Sequence, residues 1–164
     1  MQIVFTRRRR YERVRRRLYG LRGFPSAEHD EMRERWMDVG TEKALLSHES
    51  ALALLELSDN IPDAVHLLVP RRHRGLRRPP GVVIHTRPDD ETVSTVWRDG
   101  LPLTAPARTL VDVVVDELQP EQAAMAIRQV LDRGLLTTRE LKQEAALRRK
   151  GRAVEADLAA SAER

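Results

Sequence analysis

The sequence predicts an α+β fold: a small mixed or antiparallel sheet flanked by helices. Three observations carry this. Two segments of helical spacing come first, four β-branched runs follow between residues 65 and 104, and further helical segments close the chain. The 164 residues suit one domain with an appendage. Apolar residues make up 41% but aromatics only 4%, so Leu, Val and Ala must fill the core.

Residues 11–21 read as two short strands around an arginine turn. Tyr11 and Val14 lead in; Leu18, Tyr19 and Leu21 lead out. No Gly or Asn at Arg15, Arg16 or Arg17 supplies a tight primed turn. Gly23-Phe24-Pro25 is a break. Ser26 can cap a helix over about residues 27–39, with Met32, Trp36 and Val39 inward and Gly40 as the stop. Ser47 reads as the cap of a second helix over about 48–57, with Leu52 and Leu55 inward. Asn60-Ile61-Pro62-Asp63 is a turn.

Strands are expected at 65–69, 82–86, 92–97 and 101–104, with an Asp99-Gly100 turn between the last two. Pro106 opens a third helix to about residue 117, burying Leu110, Val113 and Val114. Pro120 opens a fourth, with Ala123, Ala124, Ile127, Val130 and Leu131 inward and Gly134 past its end. Thr137 and Glu140 have capping-box spacing for a fifth.

Charge is unevenly distributed. Nine of the first 22 residues are arginine, against one acid, Glu12. The whole chain carries +4, so the remainder is net acidic by about 4. Arginine concentrated in this way commonly faces nucleic acid phosphate; a solvated arm is the other reading. A second basic run, Arg71-Arg72-His73-Arg74-Gly75-Leu76-Arg77-Arg78, reads as an exposed loop that could join the same face. There is no cysteine, which excludes disulfides, thiolate metal sites and cysteine nucleophiles. No apolar run approaches a membrane span, and the start MQIVFTRRRR does not fit a signal peptide. A soluble, cytoplasmic protein with no membrane partner is expected.

The five histidines are His29, His48, His66, His73 and His85. None forms a close ligand pair such as HExxH, so no metal and no cofactor are expected. His66 and His85 lie in adjacent expected strands and could meet on one sheet face. Ser47-His48-Glu49-Ser50 contains the residue types of a hydrolase triad. Neighbours at one helix start are expected to point apart, so the capping reading stands ahead. Arg108 and Asp112, four apart on the third helix, can form an ion pair that ties helix to sheet. A phosphate-binding Arg held by Asp is the alternative. No Gly-rich phosphate loop and no paired carboxylates appear, and no catalytic residue is assigned.

Two phrases are more specific: SHESALALLELSDNIPDAVHLLVPRRHR from Ser47, and DGLPLTAPARTLVD from Asp99. With RVRRRLYGLRGFP before them and AIRQVLDRGLLT after them, the chain resembles the AbiEi-family antitoxins and regulators of bacterial type IV toxin–antitoxin systems, over about residues 11–141. The resemblance implies an N-terminal winged helix-turn-helix that binds operator DNA, and a C-terminal α+β antitoxin domain that neutralises a nucleotidyltransferase-like toxin. By that likeness residues 11–21 are a remnant wing hairpin. Arg13, Arg15 and Arg16 lie near the DNA backbone there, with Arg7, Arg8, Arg9, Arg10 and Arg17 adding charge. Ser47, His48, Glu49, Arg108 and Asp112 are the family-motif polar residues.

Only ten residues precede Tyr11, and Arg17 stands where the family's wing turns through Gly. Without a recognition helix, duplex DNA is expected to be held mainly through phosphate, with little choice of sequence. The expected organisation is a basic arm and wing-like hairpin at 1–22, an AbiEi-like antitoxin domain at 23–150 and a weakly anchored helical tail at 151–164. Two other functions fit the residues. One is a nucleotide-binding or phosphotransfer enzyme using His48, His85, Arg108 and Asp112. The other is a toxin-docking module that does not bind DNA.

Overall fold

The computed structural model of the chain describes residues 11–15, 18–21, 29–40, 44–58, 61–116 and 120–148. The Ser26 cap, the tail at 151–164, and Arg7, Arg8, Arg9, Arg10, Arg16 and Arg17 lie outside the described residues.

Strands β1 (Tyr11–Arg15) and β2 (Leu18–Leu21) form the expected antiparallel hairpin. Arg13 pairs with Tyr19 and Arg15 with Leu18, so the register shifts between Arg13 and Arg15, a bulge-like irregularity. Arg13 and Arg15 both sit on β1.

Helix α1 (Asp30–Val39) starts later than residue 27, because His29 has non-helical dihedrals (φ −118°, ψ 23°) and its carbonyl accepts the first helical hydrogen bond, from Arg33 N–H. Asp30 and Glu31 place negative charge at the positive end of the helix dipole. Trp36 and Val39 are buried and Met32 packs beside them. The Trp36 indole N–H donates to the Ala44 carbonyl (2.8 Å).

The main sheet is mixed and five-stranded. It contains β3 (Leu45–Leu46), β4 (Val65–Pro70), β5 (Val82–Arg87), β6 (Thr95–Arg98) and β7 (Leu101–Thr104), in spatial order β5-β4-β3-β7-β6. β4 and β5 are parallel, β3 is antiparallel to β4 and parallel to β7, and β6 and β7 form a hairpin. Four of these strands match the expected runs. β3, the central one, is not among the expected strands: two residues are too short to show any periodicity. The β6–β7 turn is Asp99-Gly100 with φ of 49° and 73°, the left-handed pair of a type I′ hairpin.

Helix α2 (His48–Leu54) is shorter than expected. It stops because Glu56 adopts a left-handed φ of 55°, which turns Leu57 N–H back to the Leu52 carbonyl (2.9 Å). Helix α3 (Pro106–Val115), with Pro at its first turn, is buried at every residue from Arg108 to Val115 and forms the centre of the molecule. Helices α4 (Pro120–Asp132) and α5 (Thr138–Ala146) complete the fold. Gly134, at φ 64°, lies just beyond α4 as expected. The Thr137–Glu140 capping box is formed in both directions. One core of Leu, Val, Ile and Ala joins the sheet to α2, α3, α4 and α5.

Candidate functional site

A helix buried on all sides should be apolar all round, and α3 is not. Arg108, Asp112 and Asp116 recur every four residues, so they share one face. Arg108 and Asp112 are among the most buried charged groups in the described structure, each no more than 2% exposed. Buried charge must be paired.

At the first end of this face, Arg108 Nε donates to Asp112 Oδ2 (2.7 Å) and Nη1 donates to Glu91 Oε1 (2.6 Å). Arg148, just beyond α5, bonds the same two carboxylates: Nη1 to Glu91 Oε1 (2.8 Å) and Nη2 to Asp112 Oδ1 (2.6 Å). Glu144 stands 3.9 Å from Arg108 Nη1. Burial lowers the Arg108 pKa, but Asp112 and Glu91 more than compensate and raise it overall. Burial raises Glu144, against the pull of Arg108. The pair thus ties α3 to the loop before β6 and to the end of α5. A cleft of about 640 Å³ opens over it, lined by Arg71, Glu91, Arg108, Glu144 and Arg148 among others. Arg108 Nη2 makes no hydrogen bond within the described structure. Asp90, Glu91 and Glu144 line the same cleft, so its acids match its arginines and the field does not favour an anion.

At the other end, three histidines converge from three elements. Ser47 N–H donates to the His66 carbonyl (3.0 Å), and His66 N–H donates to Ser50 Oγ (2.9 Å), which stitches the start of α2 to β4. This sets His48 beside His66. In the parallel β4–β5 register Leu68 faces His85, which brings His85 diagonally next to His66 on one sheet face. His66 Nδ1 and His85 Nε2 lie 3.0 Å apart, as the adjacent strands led us to expect. The rings of His48 and His85 stack at 3.5 Å and 17°. One ring nitrogen from each of the three lies within 4.8 Å of the others.

Oxygen atoms ring this cluster. Asp116 Oδ2 is 3.1 Å from His48 Nε2 and 3.3 Å from His85 Nδ1. Ser47 Oγ is 2.9 Å from His48 Nδ1, and Glu49 Oε2 is 3.7 Å from His66 Nε2. One proton arrangement satisfies the short contacts with all three rings neutral. Ser47 donates to His48, His66 donates to His85, and His48 and His85 both donate to Asp116. Burial lowers His48 despite its bond to Asp116. Burial, then the neighbouring His85 and His48, push His66 down to about 4. Hydrogen bonds from His48 and His85 hold Asp116 well below the usual carboxylate range.

The geometry differs from several of the expectations. Ser47 occupies the N-cap position with extended dihedrals, yet its side chain does not cap α2; its hydroxyl goes to His48. The neighbours Ser47 and His48 do meet, because His48 has a left-handed φ of 49°, unusual outside glycine. Likewise, wide spacing in the chain does not keep the histidines apart: His48, His66 and His85 form one group that ligand-spacing rules miss. The structure also splits the four-residue cluster proposed for an enzyme. His48 and His85 join Asp116 at one end of α3, whereas Arg108 and Asp112 join Glu91 and Arg148 at the other. His29 pairs instead with Asp99 of the β6–β7 turn (3.4 Å), and Asp89 anchors the arginine loop through Arg72 N–H (2.9 Å).

Glu91, Asp116 and Arg148 were missed from sequence because each looks like solvated surface charge. Asp116 had one available signal: it continues the Arg108–Asp112 spacing by one more turn.

The described helices include none long and apolar enough to cross a membrane. No curated protein is significantly similar to the chain. The AbiEi antitoxin C-terminal domain family does match, over residues 43–158. That span contains both characteristic phrases, all three clustered histidines and the Arg108–Asp112 pair, and it covers well over half of the sequence: the chain belongs to the AbiEi antitoxin family.

Proposed function

We propose that the chain is a non-enzymatic antitoxin that neutralises a nucleotidyltransferase-like toxin of a type IV system. We further propose that its basic N-terminal arm contacts operator DNA. The observation that carries the first part is the packing of the two family phrases against each other. SHES at the start of α2 meets Asp116, at the end of the helix that the second phrase begins, through His48, all inside the matched span. The polar seam is largely taken up by mutual pairing: Arg108 serves Asp112 and Glu91, His48 and His85 serve Asp116, and His66 serves His85. Such pairing supports a scaffold that presents a surface, in which antitoxicity belongs to residues 23–150. The toxin is engaged directly or through a shared target.

The DNA part rests on charge. Arg7, Arg8, Arg9, Arg10, Arg13, Arg15, Arg16 and Arg17 would meet phosphate along a duplex, giving affinity without base choice. Electrophoretic mobility shifts at rising salt test it. Binding should fall steeply with salt and vary little with sequence. Changing Arg7, Arg8, Arg9, Arg10, Arg15, Arg16 and Arg17 to Ala should flatten the slope of log K against log salt by up to about 6, at about 0.9 for each phosphate no longer neutralised. No binding at low salt, or binding that ignores these substitutions, refutes it and leaves the toxin-docking module without DNA binding as the reading. Co-expression with the toxin gene tests the antitoxin part: growth should be restored.

A further inference from the structure

We propose that His48, His66, His85 and Asp116 form a binding site for a divalent transition metal of the zinc type. The three imidazoles come from the start of α2, from β4 and from β5, and the carboxylate from the end of α3. A single ion there would fasten four elements at one point. Nothing in the antitoxin reading requires it, and it stands on different residues from the DNA contacts.

The donor set suits the chemistry. Three imidazole nitrogens and one carboxylate oxygen are a common zinc complement. Two ligands about 2.05 Å from a tetrahedral ion stand about 3.3 Å apart. The His66 Nδ1–His85 Nε2 separation is 3.0 Å, and Asp116 Oδ2 to His48 Nε2 is 3.1 Å. Two edges of the site are therefore already at ligand spacing, and contraction of the remaining ones, with ring nitrogens of the three histidines now within 4.8 Å of one another, completes the shell.

The outer contacts of two of the three histidines suit it as well. A ligating histidine normally gives its second ring N–H to an oxygen. Here His48 Nδ1 has Ser47 Oγ and His66 Nε2 faces Glu49, whereas Asp116 lies at the Nδ1 edge of His85 and must leave that edge for both to reach one ion. His85 keeps its Nδ1–H and offers Nε2. His48 moves its proton from Nε2 to Nδ1, to be accepted by Ser47 Oγ. His66 moves its proton from Nδ1 to Nε2, towards Glu49. Three nitrogens are freed with no net proton lost from the rings. The 17° stack of His48 on His85 must open, since an ion in the plane of both rings cannot sit between parallel faces. His85, at 15% side-chain exposure the least enclosed of the three, is the ring that swings.

The test uses the full chain, stripped with chelator and dialysed. Zn²⁺ is titrated against a chromophoric competitor, and Co²⁺ is added for its visible d–d bands. One ion per chain should bind, and Co²⁺ should give the intense absorption of a tetrahedral site. His66→Gln and His85→Gln should each weaken Zn²⁺ by at least about 100-fold, and Asp116→Asn by about 10-fold. The control His29→Gln/His73→Gln should bind like the parent. Circular dichroism of each variant without metal separates lost binding from lost folding; should both histidine variants unfold, the Co²⁺ spectrum and stoichiometry of the parent decide. Absent or octahedral-type Co²⁺ absorption, or Zn²⁺ bound equally by folded His66→Gln and parent, overturns the proposal.

Discussion

Replacing Arg108 with Ala probes the first half of the polar seam. Arg108 is 2% exposed and its main partner Asp112 is 1% exposed. Truncation removes the 2.7 Å bond to Asp112 and the 2.6 Å bond to Glu91. Arg148 still reaches both carboxylates, so neither is wholly abandoned. A buried pair broken from one side typically costs about 3–5 kcal/mol, because the remaining charge stays dehydrated. With the Arg148 bonds retained, the lower end, about 3 kcal/mol, is expected. At roughly 2–4 °C per kcal/mol for a domain of this size, the melting temperature should fall by about 6–12 °C. Chemical denaturation with parallel thermal melts reads this directly. A cycle with Asp112→Ala should return a coupling energy above about 1 kcal/mol. A folded Arg108→Ala protein less than about 1 kcal/mol below the parent would refute the tie. If that folded variant also lost antitoxicity, the ligand-binding reading of the arginine would take its place.

Three further perturbations follow from the same structure. In chelator, stability should decline as pH falls from about 6.5 towards 4: His66 titrates near 4 when folded but near 6.5 when unfolded, so the unfolded chain takes up the proton first. The part of the loss due to His66 should approach about 3 kcal/mol and vanish in His66→Gln, where the lowered His48 leaves a smaller decline; a flat parent profile over that range contradicts the buried neutral imidazoles. Thr137→Ala removes the side-chain half of the α5 capping box, leaving the residue 137 N–H to donate to Glu140, and should cost about 1 kcal/mol in a urea melt, whereas an unchanged midpoint would mean that the Thr137 hydroxyl does not hold the start of α5. Gly100→Ala meets no neighbouring atom within 4 Å but must hold φ at 73°, so a loss of about 1 kcal/mol measures conformational strain alone, and a gain would contradict the type I′ turn.

Local chemistry made much of the fold legible. The Asp99-Gly100 turn, Pro106 at the start of α3 and the Thr137–Glu140 box each act within four residues, so the sequence displays them whole. The consecutive strand runs at 65–69 and 82–86 were enough to place His66 near His85. What was hidden depends on partners far along the chain. Leu45 and Leu46 become the middle strand only because Leu67, Leu68 and Leu103 flank them. His48 belongs to the cluster because of a left-handed backbone that composition does not signal. Glu91 and Arg148 are ordinary surface types made into core partners by the packing of α5 against α3. The family-motif residues Ser47, His48, Arg108 and Asp112 were identifiable as a set; the roles they share with Asp116, His66 and His85 required three dimensions.

In the proposed function, antitoxicity resides in the seam-stabilised domain and not in the basic arm. Growth of cells expressing the cognate toxin, with either the full chain or the full chain carrying Ala at Arg7, Arg8, Arg9, Arg10, Arg15, Arg16 and Arg17, tests this most directly. Both proteins should restore growth to the same extent at equal expression. Failure of the parent to rescue would contradict the antitoxin assignment, and rescue by the parent alone would contradict the division of labour.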